Sequence, residues 1–154
     1  MNADFVNPFI SGLLNVLETM AQTKLSPGKP KRKQSDIAKG DVSGLIGMVG
    51  PEVRGSLSIT FDEPLALTIM ERMVGERPDK IDAEVGDMVG EITNMICGNA
   101  KRDLSEKGFE FGMATPIVVS GKQHTISHQV DGPKIILPFM CDEGLAHLEI
   151  CFDK

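Results

Sequence analysis

The chain of 154 residues contains no tryptophan and no tyrosine, and its formal charge is −6. That leaves little for base stacking or for binding a phosphate backbone, and nucleic acid is not an expected partner. Only three cysteines occur, Cys97, Cys141 and Cys151, with no CxxC spacing. Such a set predicts reduced, mostly buried thiols rather than a disulfide framework or a zinc ribbon. No apolar run approaches the roughly 18 residues of a membrane span. The start, Met1-Asn2-Ala3-Asp4, carries an acid where a secretory leader is positive. A soluble, cytoplasmic protein without a membrane segment is expected.

What is present fits one globular domain spanning residues 1–154, long enough for a real core and too short for two comfortable ones. The basic run Lys29-Pro30-Lys31-Arg32-Lys33 lies in a Pro/Gly connector and reads as a solvated linker. Ahead of it, Phe5, Phe9, Leu13, Val16, Leu17 and Met20 predict an amphipathic helix over about 4–24. From Asp36 to Phe61 the pattern is that of a hairpin turning at Gly50-Pro51. Helical spacing returns over about 63–75. A longer helix follows the loop and N-cap segment Arg77-Pro78-Asp79, with Asp82 favouring its first-turn amides and Gly108 as its stop. Apolar runs near 111–119, 123–130, 134–140 and 145–152 read as antiparallel strands separated by Gly-containing turns. The expected class is α+β, with long helices packed on an antiparallel sheet.

Several chemical motifs carry little. Gly44, Gly47 and Gly50 match neither a dinucleotide fingerprint nor a P-loop and fall on a predicted strand. His124 and His128 have HxxxH spacing, but their neighbours favour a strand and no third ligand is nearby, so no metal site is expected. His147 reads as a surface or packed histidine. No GxSxG elbow marks a covalent nucleophile.

The informative stretch is Asp87-Met-Val-Gly-Glu91-Ile-Thr-Asn94. At about 100° per residue its three polar side chains fall within roughly a 60° arc, opposite Val85, Met88, Val89, Ile92, Met95 and Ile96. Asp87 and Glu91 are like charges one turn apart, which costs a few tenths of a kcal/mol. Gly98 continues the stripe although glycine costs about 1 kcal/mol in a helix. A face with these costs suits close approach by another molecule. A carboxylate and an amide can be held there rigidly, and an amide both donates and accepts hydrogen bonds, as positioning a water requires.

Asp87-x-x-x-Glu91-x-x-Asn94, followed by Gly98-Asn99-Ala100 and Pro116, resembles the CheC/CheX/flagellar-switch family of chemotaxis phosphatases, most strongly its CheX branch. Val6-Asn7-Pro8-Phe9-Ile10, Asp41 to Gly47 and Arg54 to Ile59 extend the resemblance over nearly the whole chain. It implies dephosphorylation of a phosphorylated CheY-type response regulator that supplies its own magnesium, this chain holding no cofactor. By the same resemblance Asn94 orients the attacking water, Glu91 pairs with the partner's lysine, Asp87 supports the site, and Pro116 is structural. CheC-type relatives carry a second Glu-x-x-Asn helix. The first helix here offers only Gly12-x-x-Asn15, so one site per chain is expected, together with a CheX-like homodimer whose sheet continues between subunits. The alternative is a non-catalytic module that binds a response regulator or flagellar switch component through the same face.

Overall fold

The computed structural model describes residues 3–51 and 54–153; Met1, Asn2, Glu52, Val53 and Lys154 lie outside them. The first apolar stripe forms helix α1 (Ala3–Ala21), with Phe5, Phe9, Leu13, Val16 and Leu17 buried. Two short strands follow, β1 (Ser26–Pro27) and β2 (Lys31–Arg32), then the hairpin β3 (Val42–Val49) and β4 (Arg54–Phe61). Helix α2 (Glu63–Val74) is capped by Asp62, which accepts from the Leu65 amide at 3.0 Å, and ends at Gly75 with φ 89°. Helix α3 (Ala83–Glu106) is followed by β5 (Gly112–Met113), β6 (Ile117–Ser120), β7 (Lys134–Cys141) and β8 (Gly144–Asp153). The strands form an antiparallel sheet in the order β1-β7-β8-β4-β3-β5, with β2 also on β7 and β6 also on β3. The expected α+β arrangement of long helices on an antiparallel sheet is present.

Alternation along the strands sorts the residues. Val42, Ile46 and Met48 of β3, Leu57, Ile59 and Phe61 of β4, and Ala146, Leu148, Ile150 and Phe152 of β8 join the three helices in one apolar core. At one end of it Phe5 stands edge-on to Phe152, with ring centroids 4.1 Å apart. Yet β4 is buried at every position from Gly55 to Phe61, so the opposite face of the sheet is covered as well.

That cover corrects two sequence expectations. Residues 123–130 do not form a strand of the sheet. After Gly121 and Gln123, both at positive φ, this segment crosses the sheet face as a loop and contributes a single bridge, Thr125 with Ile37. Its backbone bonds to residues 36–38 instead, Ile126 N–H donating to Asp36 O at 2.7 Å and Ala38 N–H to His124 O at 2.8 Å. The basic connector is not wholly solvated either. Lys31 and Arg32 lie exposed on an edge strand, but Lys33 is buried, and its Nζ lies 2.6 Å from Glu149 Oε2 on β8. His128 joins from the loop, with Nε2 3.2 Å from Glu149 Oε1 and Nδ1 2.7 Å from Ser56 Oγ. Helix α3 also begins three residues later than the Asp79 cap implies, because Asp82 itself is the N-cap and accepts from the Val85 amide at 2.9 Å.

Burial opposes ionisation of Glu149, but hydrogen bonds from His128 and Lys33, with their charges, outweigh it and hold the carboxyl below its ordinary value. A depressed carboxyl contributes stability that is complete above its unfolded pKa of about 4.3 and is lost as pH falls through the folded value. Lys33→Met, which strands a buried carboxylate, is expected to cost about 3–5 kcal/mol in urea unfolding at pH 7. Lys33→Met with Glu149→Leu should recover much of that loss. Equal destabilisation in the single and double variants would show that the ion pair does not pin the cover.

Candidate functional site

Helix α3 is gripped on three sides. Val85, Met88, Val89, Ile92, Thr93, Ile96, Cys97, Ala100 and Leu104 are buried beneath it. On one flank it meets α1 at Gly12, where an added Cβ would stand 3.1 Å from Ile96 O. On the other it lies over β6, where a Cβ on Gly90 would come within 3.3 Å of a Val118 methyl. Below, Gly44 of β3 leaves room for Thr93, whose Oγ1 donates to Val89 O at 2.7 Å. With three sides occupied, the remaining side of α3 faces solvent.

That side carries the predicted stripe. Asp87 and Glu91 are exposed, Asn94 and Gly98 are half-buried, and open space surrounds the Gly98 Cα. Among the described residues the side chains of Asp87, Glu91 and Asn94 form no hydrogen bond or ion pair. A free carboxylate and a free amide, spaced at one turn on a rigid helix, can receive a cation and orient a small polar molecule respectively. Gly12, which takes the carboxylate's place in the spacing Gly12-x-x-Asn15, is buried in the α1–α3 contact, while Asn15 lies exposed and accepts from Thr19 Oγ1 at 3.4 Å. The first helix thus places a contact glycine where a second carboxylate would stand.

The other candidates find different employment. His124 Nε2 lies 2.7 Å from Ser43 Oγ and its Nδ1 2.7 Å from Gly121 O, and both ring nitrogens of His128 are engaged in the cover. Among the described residues no cluster of three or more His, Cys, Asp or Glu is placed to hold a metal. His147 packs within the sheet, where burial pushes its pKa down. Gly44 and Gly47 belong to β3, and no phosphate-cradling loop exists there. Pro116 is half-buried in the turn between β5 and β6. No helix among the described residues is long and apolar enough to cross a membrane.

The sequence reading missed Thr93, Gly44, Gly12 and Gly90 as the residues that set α3 against its neighbours. Gly44 was visible only as one member of a weak glycine motif. Thr93 falls among apolar residues and gives no signal by itself.

A family model described as chemotaxis phosphatase CheX matches residues 42–140. The chain belongs to the CheX family. A crystal structure of a CheC-like superfamily protein from Shewanella sp. PV-4 superimposes with a TM-score of 0.95 at 64% identity, covering 100% of both chains. A CheX–CheY–BeF3–Mg2+ complex from Borrelia burgdorferi contains a chain similar to this one at TM-score 0.82 and 29% identity, covering 99% of this chain and 100% of that one. A Thermotoga maritima protein named CheY-P phosphatase CheX is 26% identical over 123 residues, 79% of each chain.

Covalent catalysis by the helix thiol conflicts with its surroundings. Cys97 lies on the buried side of α3, and desolvation pushes its pKa up to about 12. Iodoacetamide at pH 8 should label half-buried Cys141 while leaving Cys97 unmodified until the protein unfolds. Rapid native labelling of Cys97, read by peptide mass spectrometry, would contradict this placement.

Proposed function

We propose that this CheX-family chain hydrolyses the aspartyl-phosphate of a phosphorylated CheY-type response regulator and so ends a chemotaxis signal. The observation that carries the reading is the outward pair Glu91 and Asn94, unpartnered on a helix whose other three sides are packed. The phosphatase name of the Thermotoga maritima relative and the CheY partner in the Borrelia burgdorferi complex support the substrate class.

In this reaction water attacks phosphorus in line, the bond from phosphorus to the regulator's carboxylate oxygen breaks, and inorganic phosphate leaves. Such chemistry asks chiefly for positioning and electrostatics. Asn94 accepts a hydrogen bond from the attacking water through Oδ1 and donates through Nδ2, holding the nucleophile in line. Glu91 pairs with a cation of the docked regulator and sets its register. Asp87 adds to the same negative face, and Gly98 leaves the surface bare so that the partner's backbone can come close. Magnesium belongs to the regulator as part of the substrate, and this chain brings no cofactor of its own. The reading takes residues 1–154 as one phosphatase domain with a single site, acting in the cytoplasm as a homodimer whose sheet continues between subunits. Ile117 of the short edge strand β6 and Val49 of β3, which pairs with β5, are exposed and support that edge as the junction.

The test is loss of phosphoryl label from the cognate regulator. Asn94→Ala should lower kcat by about 100-fold or more, whereas Glu91→Ala should chiefly raise KM. A wild-type rate for Asn94→Ala would overturn the mechanism. Saturable binding of the phosphorylated regulator by the wild-type chain, with no acceleration of its decay, would favour the non-catalytic module instead.

A further inference from the structure

Thr93 directly precedes Asn94 but, about 100° round the helix, points inward. It is fully buried, and its Oγ1 donates to Val89 O at 2.7 Å. The strand residue beneath it is Gly44, and a methyl group there would overlap Thr93 Oγ1 and stand 3.3 Å from Val89 O. Threonine and glycine therefore interlock where α3 packs on β3. Gly12 on α1 and Gly90 on α3 act within the same two turns, admitting Ile96 O to 3.1 Å and a Val118 methyl to 3.3 Å of where their side chains would begin. These three close approaches bracket residues 90–96, the turns that carry Glu91 and Asn94.

A helix resting on long, flexible side chains can roll by several degrees at small cost. One whose backbone is held by close contacts at three points cannot, because cores are close-packed and resist intrusion. We infer that Thr93 and Gly44 are positioning residues, which set the rotation of α3 and hence the direction in which the Asn94 amide is presented. The inference rests on the catalytic reading of Asn94. Thr93 touches no substrate and acts only through its neighbour. Misplacement of a reacting group by about 1 Å is sufficient to cost about 100-fold in rate, so a partial roll of the helix should be visible in kcat long before the fold is lost.

Thr93→Val preserves volume and removes the hydroxyl, leaving Val89 O its ordinary helical hydrogen bond. Thr93→Ser keeps the hydroxyl and removes a methyl. Gly44→Ala intrudes on the seat from below. With phosphorylated regulator as substrate, Thr93→Val and Gly44→Ala should each lower kcat about tenfold while KM stays within about twofold. Thr93→Ser should retain most of the rate. In an Asn94→Ala background, Thr93→Val should produce no further loss of rate, because the group through which it acts is gone.

A wild-type kcat in Thr93→Val, with Asn94→Ala inactive, would overturn the positioning role while leaving the catalytic reading intact. Further loss on adding Thr93→Val to Asn94→Ala would also overturn it, since Thr93 would then act by another route. Full activity in Asn94→Ala would instead bring down the catalytic reading on which this one stands. If Gly44→Ala does not fold, the Thr93 variants and their Asn94→Ala combinations decide the matter.

Discussion

Close packing of α3 against β3, β6 and α1 is the constraint on which the rest of the molecule turns. Its buried side joins the apolar side chains of the central strands to those of α1 and α2, and through Ile96 and Gly12 it sets the spacing of the two long helices. Gly12, Gly44 and Gly90, with Thr93, bring backbones together at the contact points where larger side chains would hold them apart. Fixing three sides of the helix also fixes what the fourth presents. The stripe from Asp87 to Gly98 faces outward because every other direction is filled.

The far side of the sheet solves a different problem. With all the helices on one face, the polar face of β3, β4 and β8 would ordinarily be left to water, and the residues there are suited to that: Ser43, Ser56, Ser58, Thr60, His147 and Glu149. The cover formed by residues 33–38 and 121–133 withdraws them from water; direct pairing offsets the dehydration of Ser43, Ser56, Thr60 and Glu149, while Ser58 Oγ and His147 Nδ1 find no hydrogen-bond partner among the described residues. Lys33 and His128 satisfy both oxygens of Glu149, and Ser43 meets Thr60 at 2.6 Å and His124 at 2.7 Å. Desolvated charges gain little net stability by pairing, but an unpaired one costs several kcal/mol. Such a layer therefore favours one docking of the cover over sliding alternatives, a selectivity that an apolar surface would not impose.

Much of the architecture was legible because it obeys simple periods. The stripes of α1 and α3, the Gly75 and Gly108 stops, and the alternation in β3, β4, β7 and β8 follow from burying one side of each element. The 123–130 segment misled for a physical reason. Thr125, Ile126 and Val130 have strand-forming side chains, yet the edge of β3 is already taken by β5 and β6 and that of β7 by β1 and β2. The segment therefore lies across the sheet. Alternation alone would leave Glu149, between Leu148 and Ile150, on a solvated face, and nothing local signals the layer that lies on top. Asp82 displaced Asp79 as the cap because capping depends on where the chain leaves the Arg77–Lys80 loop, and that is set by the packing of α2 and α3.

The sequence by itself determined that Asp87, Glu91, Asn94 and Gly98 share one face of a helix, since 3.6 residues per turn admits no other outcome once that helix forms. It also determined that the first helix lacks a matching carboxylate, because position 12 is glycine. Only the tertiary structure decided what Gly12 and Gly44 are for, which cation meets Glu149, and how firmly α3 is seated. These are relations between residues far apart in the chain, such as Lys33 with Glu149 or Gly44 with Thr93. No local period encodes them, and they exist only when the sheet and its two covering layers have closed.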